Sequence, residues 1–247
     1  MIIGRIPYLN SEAFFRGLTG HKSVPVMPRD TGALVSAGLV HATIMPTALY
    51  FNMEGQVFPL GELCIATTGP AKSVLLFSKR EIHDLGGAEI SITKQTASSS
   101  ALLDILLRKA FGVQNFSYTE GDLYDRPVAY LSIGDEALYL KKRARSFPDY
   151  RIYDLGQLWH DWTGLPFVFA IWVIRGDIDE NEAINLLSQL RRNLSLNLAD
   201  IDALTEERRR KLGLSAAEAR SYIKNFTYVM GSSERAGMAR FRELLEL

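Results

Sequence analysis

The run Phe167-Val168-Phe169-Ala170-Ile171-Trp172-Val173-Ile174 narrows the possible folds more than any other feature of this sequence. It is the longest apolar stretch, and its eight residues fall far short of the ~20 that cross a bilayer. Its aromatic and β-branched content reads as a strand buried on both faces, which needs further structure layered above and below it. The residues before the run alternate between strand and helix patterns, and those after it carry helical patterns alone.

A first strand is expected at 2–6, leading through Pro7-Tyr8-Leu9-Asn10-Ser11 into a short helix with Phe14, Phe15 and Leu18. A helix at 31–37 ends on Gly38, a strand comes next at 41–45, and a helix begins after Pro46. Two β-rich runs, 63–68 and 73–78, flank Gly69-Pro70, and Asp84-Leu85-Gly86-Gly87 reads as a boundary. A second unit then shows a strand at 89–93, a hydroxyl-rich turn, a helix at 99–111, a strand at 128–133 and a helix opening at Asp135. A helical stretch near 155–162 precedes the apolar run, and helical patterns cover 179–195, 205–212, 215–225 and 232–246, with no strand expected after 175. This rhythm predicts an α/β clamshell with mixed, mostly parallel sheets and a helical C-terminal part. Its first domain comprises 1–82 plus 168–247 and its second 83–167, and open α/β sheets bind ligands at the carboxyl ends of their strands.

The residues just after strands are therefore the candidates for chemistry. Asn10, between Tyr8 and Ser11, either orients a ligand through its amide or caps a helix. Ser73 begins a strand near the expected crossing and reads equally as a turn residue. Thr96-Ala97-Ser98-Ser99-Ser100 places several hydroxyls at a helix N-terminus, an anion site or an N-cap with a polar loop. Gly134-Asp135 ends a strand, and Asp135 is either an acid or base or a cap favoured by the helix dipole.

Other chemistries lack their signatures. The sequence holds no dinucleotide or nucleotide phosphate loop, no H-E-x-x-H and no G-x-S-x-G. His21, His41, His83 and His160 lie at no metal-ligand spacing, and Cys64 is the only cysteine, so neither a metal nor an organic cofactor is expected. With 28 basic and 28 acidic residues there is no net attraction for nucleic acid or a membrane surface, and Glu206-Glu207-Arg208-Arg209-Arg210-Lys211 reads as a solvated helix face. Met1–Pro7 carries neither a signal-peptide pattern nor a lipidation cysteine, so a cytoplasmic location is expected, while the clamshell and its polar strand ends imply a small-molecule partner. Oligomeric state is not readable.

Arg5-Ile6-Pro7-Tyr8-Leu9-Asn10-Ser11, Gly69-Pro70-Ala71-Lys72-Ser73-Val74, Ser98-Ser99, Ile133-Gly134-Asp135-Glu136-Ala137-Leu138 and two further stretches occur in a telling order. The latter are Tyr153-Asp154-Leu155-Gly156-Gln157-Leu158-Trp159 and Trp162-Thr163-Gly164-Leu165-Pro166-Phe167-Val168-Phe169-Ala170. Over about residues 1–175 this set resembles the MqnA family, the chorismate dehydratases of the futalosine route to menaquinone. The resemblance implies a type II periplasmic-binding-protein-like fold and loss of water from chorismate to give 3-(1-carboxyvinyloxy)benzoate, with no cofactor. It implies a reacting-region role for Asn10, carboxylate contacts for Ser73, Ser98 and Ser99, and a site that also takes in Tyr8, Ser11, Thr96, Gly134 and Asp135. Whether Asp135 touches substrate or caps its helix stays open. The stretch Met45-Pro46-Thr47-Ala48-Leu49-Tyr50 and Lys94 depart from the family pattern. Two alternatives are a non-catalytic solute-binding protein for a small carboxylate and an MqnD-like enzyme of the same pathway, although no histidine falls in the turns expected to face the cleft.

Overall fold

The computed structural model describes residues 1–246, which form two compact units. Unit 1 comprises Met1–Ala66 with Val168–Ser232; unit 2 comprises Thr67–Phe167 and the residues from Ser233 on. The division differs from the expected one in two places. The first boundary lies at Thr67 rather than after 82, because the strand at Val74–Ser78 is hydrogen-bonded within the sheet of unit 2. The last helix also belongs to unit 2, for a packing reason given below.

Unit 1 contains β1 (Ile2–Arg5), α1 (Glu12–Phe15), β2 (Lys22–Pro25), α2 (Thr31–Ser36), β3 (Ala42–Pro46), α3 (Thr47–Asn52) and β4 (Val57–Thr67). After the excursion into unit 2 come β10 (Phe167–Arg175), α7 (Glu180–Ala199), α8 (Ile201–Leu212), α9 (Ala216–Ile223) and β11 (Thr227–Val229). Its six strands lie in the order β11-β4-β10-β3-β1-β2. β10 is the apolar run, central and almost wholly buried, as its composition requires. β11 corrects the expectation that no strand comes after 175: it is a three-residue edge pairing with β4, too short for a legible alternation.

The four-residue α1 is far too short to be stable alone. Phe14 and Phe15 pack on Trp172 of β10, with ring centroids 5.8 and 5.5 Å away. Two asparagines of α7 take up its carbonyls: Asn193 Nδ2 donates to Phe14 O at 3.3 Å, and Asn197 Nδ2 donates to Ala13 O and Arg16 O, each at 2.9 Å. The turn in front of α1 is thereby set on a rigid base.

Unit 2 contains β5 (Val74–Ser78), β6 (Glu89–Ile92), α4 (Ser98–Ile105), β7 (Ser117–Glu120), β8 (Ala129–Ile133), α5 (Gly134–Lys142), β9 (Arg151–Asp154), α6 (Leu155–Thr163) and α10 (Ser232–Leu244). Its sheet runs β7-β6-β8-β5-β9. Leu75, Phe77, Leu123, Tyr130, Ala137, Leu140, Phe147 and Tyr150 form a core cluster of the unit. α10 joins the unit through Phe241, whose ring lies 6.2 Å from Trp159 and 4.8 Å from Phe167. Gly237 allows that approach, since a Cβ there would stand 2.0 Å from Pro166 O.

Parallel pairs join β1 to β2 and β3, and β6 to β7 and β8. β10 runs against β3, β4 against β11, and β5 against both β8 and β9. The sheets are thus mixed rather than mostly parallel, because β5 runs opposite to both of its neighbours and β10 opposite to β3. No described helix is long and apolar enough to cross a membrane.

Candidate active site

In unit 1, β1 ends at Arg5 and the chain turns through Pro7–Ser11 into α1. Ser11 is the N-cap residue, although its hydroxyl does not bond the helix. Ser11 Oγ lies instead 2.6 Å from Ile6 O and 2.8 Å from Tyr8 O, and Ser11 N donates to Tyr8 O at 3.1 Å. The hydroxyl is therefore enclosed in its own turn, where it shapes the loop and is fully buried. Asn10 is not the cap. Only 9% exposed, it has a buried Oδ1 with no hydrogen-bond partner. An unsatisfied buried acceptor costs ~1–3 kcal/mol, a deficit that a donor on a bound ligand would remove.

The same turn is gripped from the side by a basic residue. Arg208 Nη1, from the face of α8 expected to be solvated, donates to Pro7 O, and its Nη2 lies 3.6 Å from Glu12 Oε1. Glu12, in the first turn of α1, also pairs with Arg5 at 2.5 Å. The remaining charges of that run do pair locally, Arg209 and Arg210 with Glu206 and Lys211 with Glu207.

In unit 2, the pairings Val74 with Ile133, Leu75 with Asp154 and Ile92 with Leu131 bring four chain segments to one end of the sheet. Ser73, 2% exposed, lies just before β5, and its carbonyl accepts from Gly134 N at 2.8 Å. Gly134 opens α5 with φ +60°, a left-handed conformation that favours glycine, and its N–H is committed to Ser73. Asp135 is not the cap: Ile133 holds that position and Asp135 sits half-buried in the first turn. Its neighbour Glu136 turns back to accept from Tyr130 Oη at 2.9 Å and Ser132 Oγ at 2.8 Å.

α4 begins at the same end of the sheet. Its N-cap is Ala97, with no side-chain cap, and Thr96 Oγ1 accepts from Ser100 N at 3.1 Å while Ser100 Oγ donates to Ala97 O at 2.8 Å. Two hydroxyls thus serve the helix itself. Ser98 and Ser99, both buried, form its first turn, where backbone N–H groups and the positive end of the helix dipole favour an anion.

Two features of the loop at this end carry no signal of their role in the sequence. Asp154 accepts from Ala71 N at 2.8 Å, Lys72 N at 2.7 Å, Gly156 N at 3.0 Å and Gln157 N at 3.3 Å. Burial pushes its carboxyl up from the usual carboxylate range, against the pull of those N–H donors. Lys72 sits at φ +65°, and its ammonium is lowered by burial and then by the nearby Lys141, with Asp154 acting oppositely. Asp directly before a helical pattern suits an N-cap, but nothing in the sequence indicates that its carboxylate also reaches back to residues 71 and 72.

The departures from the family pattern have structural consequences. Thr47 Oγ1 donates to Val168 O at 2.7 Å in the interior, so that stretch passes directly from β3 into α3. Lys94 is exposed in the turn after β6. His160 Nδ1 lies 3.3 Å from Leu165 O on α6, a local contact. Among the described residues no three His, Cys, Asp or Glu side chains come together as a metal-ion site.

A family model described as menaquinone biosynthesis matches residues 1–247. A chorismate dehydratase of Thermus thermophilus is 29% identical over 252 residues, covering 94% of this chain and 90% of the relative. Among solved structures, a protein from Archaeoglobus fulgidus superimposes with a TM-score of 0.82 at 17% identity, covering 99% of this chain and 96% of the other. The periplasmic aliphatic sulphonate binding protein of Escherichia coli superimposes with a TM-score of 0.66 at 13% identity, covering 100% and 91%. At those identities the likeness concerns the fold alone, and it makes the fold periplasmic-binding-protein-like.

Proposed function

Because the chain belongs to the menaquinone-biosynthesis family over its whole length, we propose that it is a carbon–oxygen lyase that eliminates water from chorismate to give 3-(1-carboxyvinyloxy)benzoate. The observation that carries this reading is the 29% identity, across 94% of the chain, to a chorismate dehydratase. The C3–H bond of the ring breaks, its electron pair becomes the C3–C4 double bond, and the C4 oxygen leaves with its proton and the C3 proton as water. Aromatisation drives the reaction. The C3 proton is vinylogous to the ring carboxylate, so donors on that carboxylate lower the barrier as charge spreads onto it.

The buried, unpartnered Oδ1 of Asn10 suits the C4 hydroxyl, from which it would accept a hydrogen bond that fixes the direction of the breaking C–O bond. Ser73 and the first turn of α4, Ser98 and Ser99, are suited to carboxylate oxygens. Tyr8, Thr96 and Asp135 flank these groups, while Ser11 and Gly134 act through the backbone they shape. The enolpyruvyl carboxylate of chorismate is the proton acceptor in this reading, with the protein orienting it and excluding water. Incubation with chorismate should yield an aromatic product lighter by one water. Unchanged chorismate overturns the reading, and tight binding of chorismate without turnover would instead favour a solute-binding protein.

A further inference from the structure

The loop Gly69–Ser73 has an unusual backbone. Gly69 lies at φ +85°, and the non-glycine Lys72 lies at φ +65°, one residue before Ser73. A left-handed lysine persists only where its surroundings over-determine it. Asp154 supplies that determination by receiving the N–H groups of Ala71 and Lys72 on its two carboxylate oxygens while capping α6 through Gly156 and Gln157. An independent observation points the same way. A Cβ on Gly156 would stand 2.7 Å from Gly69 O and 2.8 Å from Ala71 N, so the start of α6 is packed directly against the loop backbone.

We propose that Asp154 is a positioning residue for Ser73, its buried carboxylate clamping the Ala71-Lys72 backbone onto the N-terminus of α6 and so aiming the residue that comes next. This rests on the reading of Ser73 as a carboxylate-binding residue of a dehydratase. The four N–H bonds on one side chain are more than a helix cap needs, and two of them reach across 82 and 83 residues of sequence. Gly156 is required at its position because only a residue without a side chain admits the loop.

Asp154→Ser separates the two tasks, since serine caps a helix as well as aspartate but lacks the second oxygen and the reach to Lys72. The variant should fold with a Tm lowered by several degrees, because the cap is kept while the Ala71 and Lys72 N–H groups lose their acceptor. Amide exchange at Ala71 and Lys72 should accelerate about tenfold or more as their opening is eased. kcat/KM for chorismate should fall roughly tenfold, and in a Ser73→Ala background the same change should add less than about twofold, because one interaction cannot be lost twice. Unchanged exchange at the two amides, or losses that multiply in the double variant, overturns the proposal. If Asp154→Ser does not fold, Asp154→Asn, which keeps one acceptor oxygen, is measured in the same way; unfolding of both would make Asp154 a stability residue and also end the proposal. A wild-type protein that leaves chorismate intact refutes the proposed reaction, whereas the amide exchange decides the anchoring separately.

Discussion

Asn10 shows how a single residue can be ambiguous in sequence and resolved by its surroundings. Asn and Ser both favour helix caps, and the two stand side by side; the structure gives the cap position to Ser11 and leaves Asn10 with a buried, unsatisfied oxygen. Such an atom weakens the folded state, so its replacement by serine should leave Tm close to wild type or raise it, whereas an unpaired aspartate there should lower it. Asn10→Ser is too short to reach a bound hydroxyl, and Asn10→Asp brings a negative charge toward a dianion. Both should lower kcat/KM on the order of tenfold or more. Dehydration kinetics beside melting curves check this, and wild-type kinetics in both variants would remove Asn10 from the site. Arg208 makes the same point from the opposite direction: a run of charges read as a solvated face contains one guanidinium committed to Pro7 O. Arg208→Gln should therefore reduce activity more than Arg210→Gln, whose partner Glu206 lies on its own helix. Equal activities in the two variants would contradict it.

At the scale of elements, the long periodic segments were readable and the short polar ones were not. The four C-terminal helical patterns match α7 to α10 within a few residues, because an amphipathic stripe repeats over several turns. The edge strands β2 (Lys-Ser-Val-Pro) and β7 (Ser-Tyr-Thr-Glu) have no counterpart in the sequence reading, since four mostly polar residues carry no alternation, and their pairing exists only against β1 and β6. α4 carries the two serines proposed to hold a carboxylate of the substrate. Thr96, rather than the first-turn serines, takes up the N–H of Ser100, so Ser98→Ala with Ser99→Ala should cost little helix stability. Binding of the dehydration product should weaken by ~1.5–3 kcal/mol for each charge-assisted hydrogen bond lost. Calorimetric titration measures it, and undiminished affinity would refute the anion-site role.

For the whole molecule, buried phenols in both units predict an alkaline limit to stability. Burial raises the Tyr228 hydroxyl in unit 1 well above its ordinary value, and burial followed by the Glu136 carboxylate does the same to Tyr130 in unit 2. Above about pH 10 the unfolded chain releases these protons while the folded chain keeps them. The unfolded state then binds fewer protons, so stability is full below that pH and falls as pH rises through it. Tm should decline between about pH 9 and pH 11. Tyr228→Phe, which also removes a buried hydroxyl lacking a partner, should make the decline shallower. A slope equal to that of wild type would show that the phenol does not ionise on unfolding.

The alternation of strand and helix, the central buried strand and the helical C-terminal part are dictated by the sequence alone, because hydrophobic period and turn residues are local properties. The clusters at strand ends were legible for the same reason, and the family through the ordered motifs that resemble it. The division of the chain was not. Gly69-Pro70 and Asp84-Leu85-Gly86-Gly87 are equally good breaks locally, and only the pairing of β5 with β8 and β9 places the boundary at Thr67. The assignment of α10 depended on Phe241 finding Trp159 and Phe167, a contact between segments far apart in the chain. The roles of Asn10, Ser11, Asp154 and Arg208 likewise depend on which donors and acceptors meet across the fold. Hydrogen bonds between distant segments leave no periodic trace in a sequence, so these assignments belong to tertiary structure.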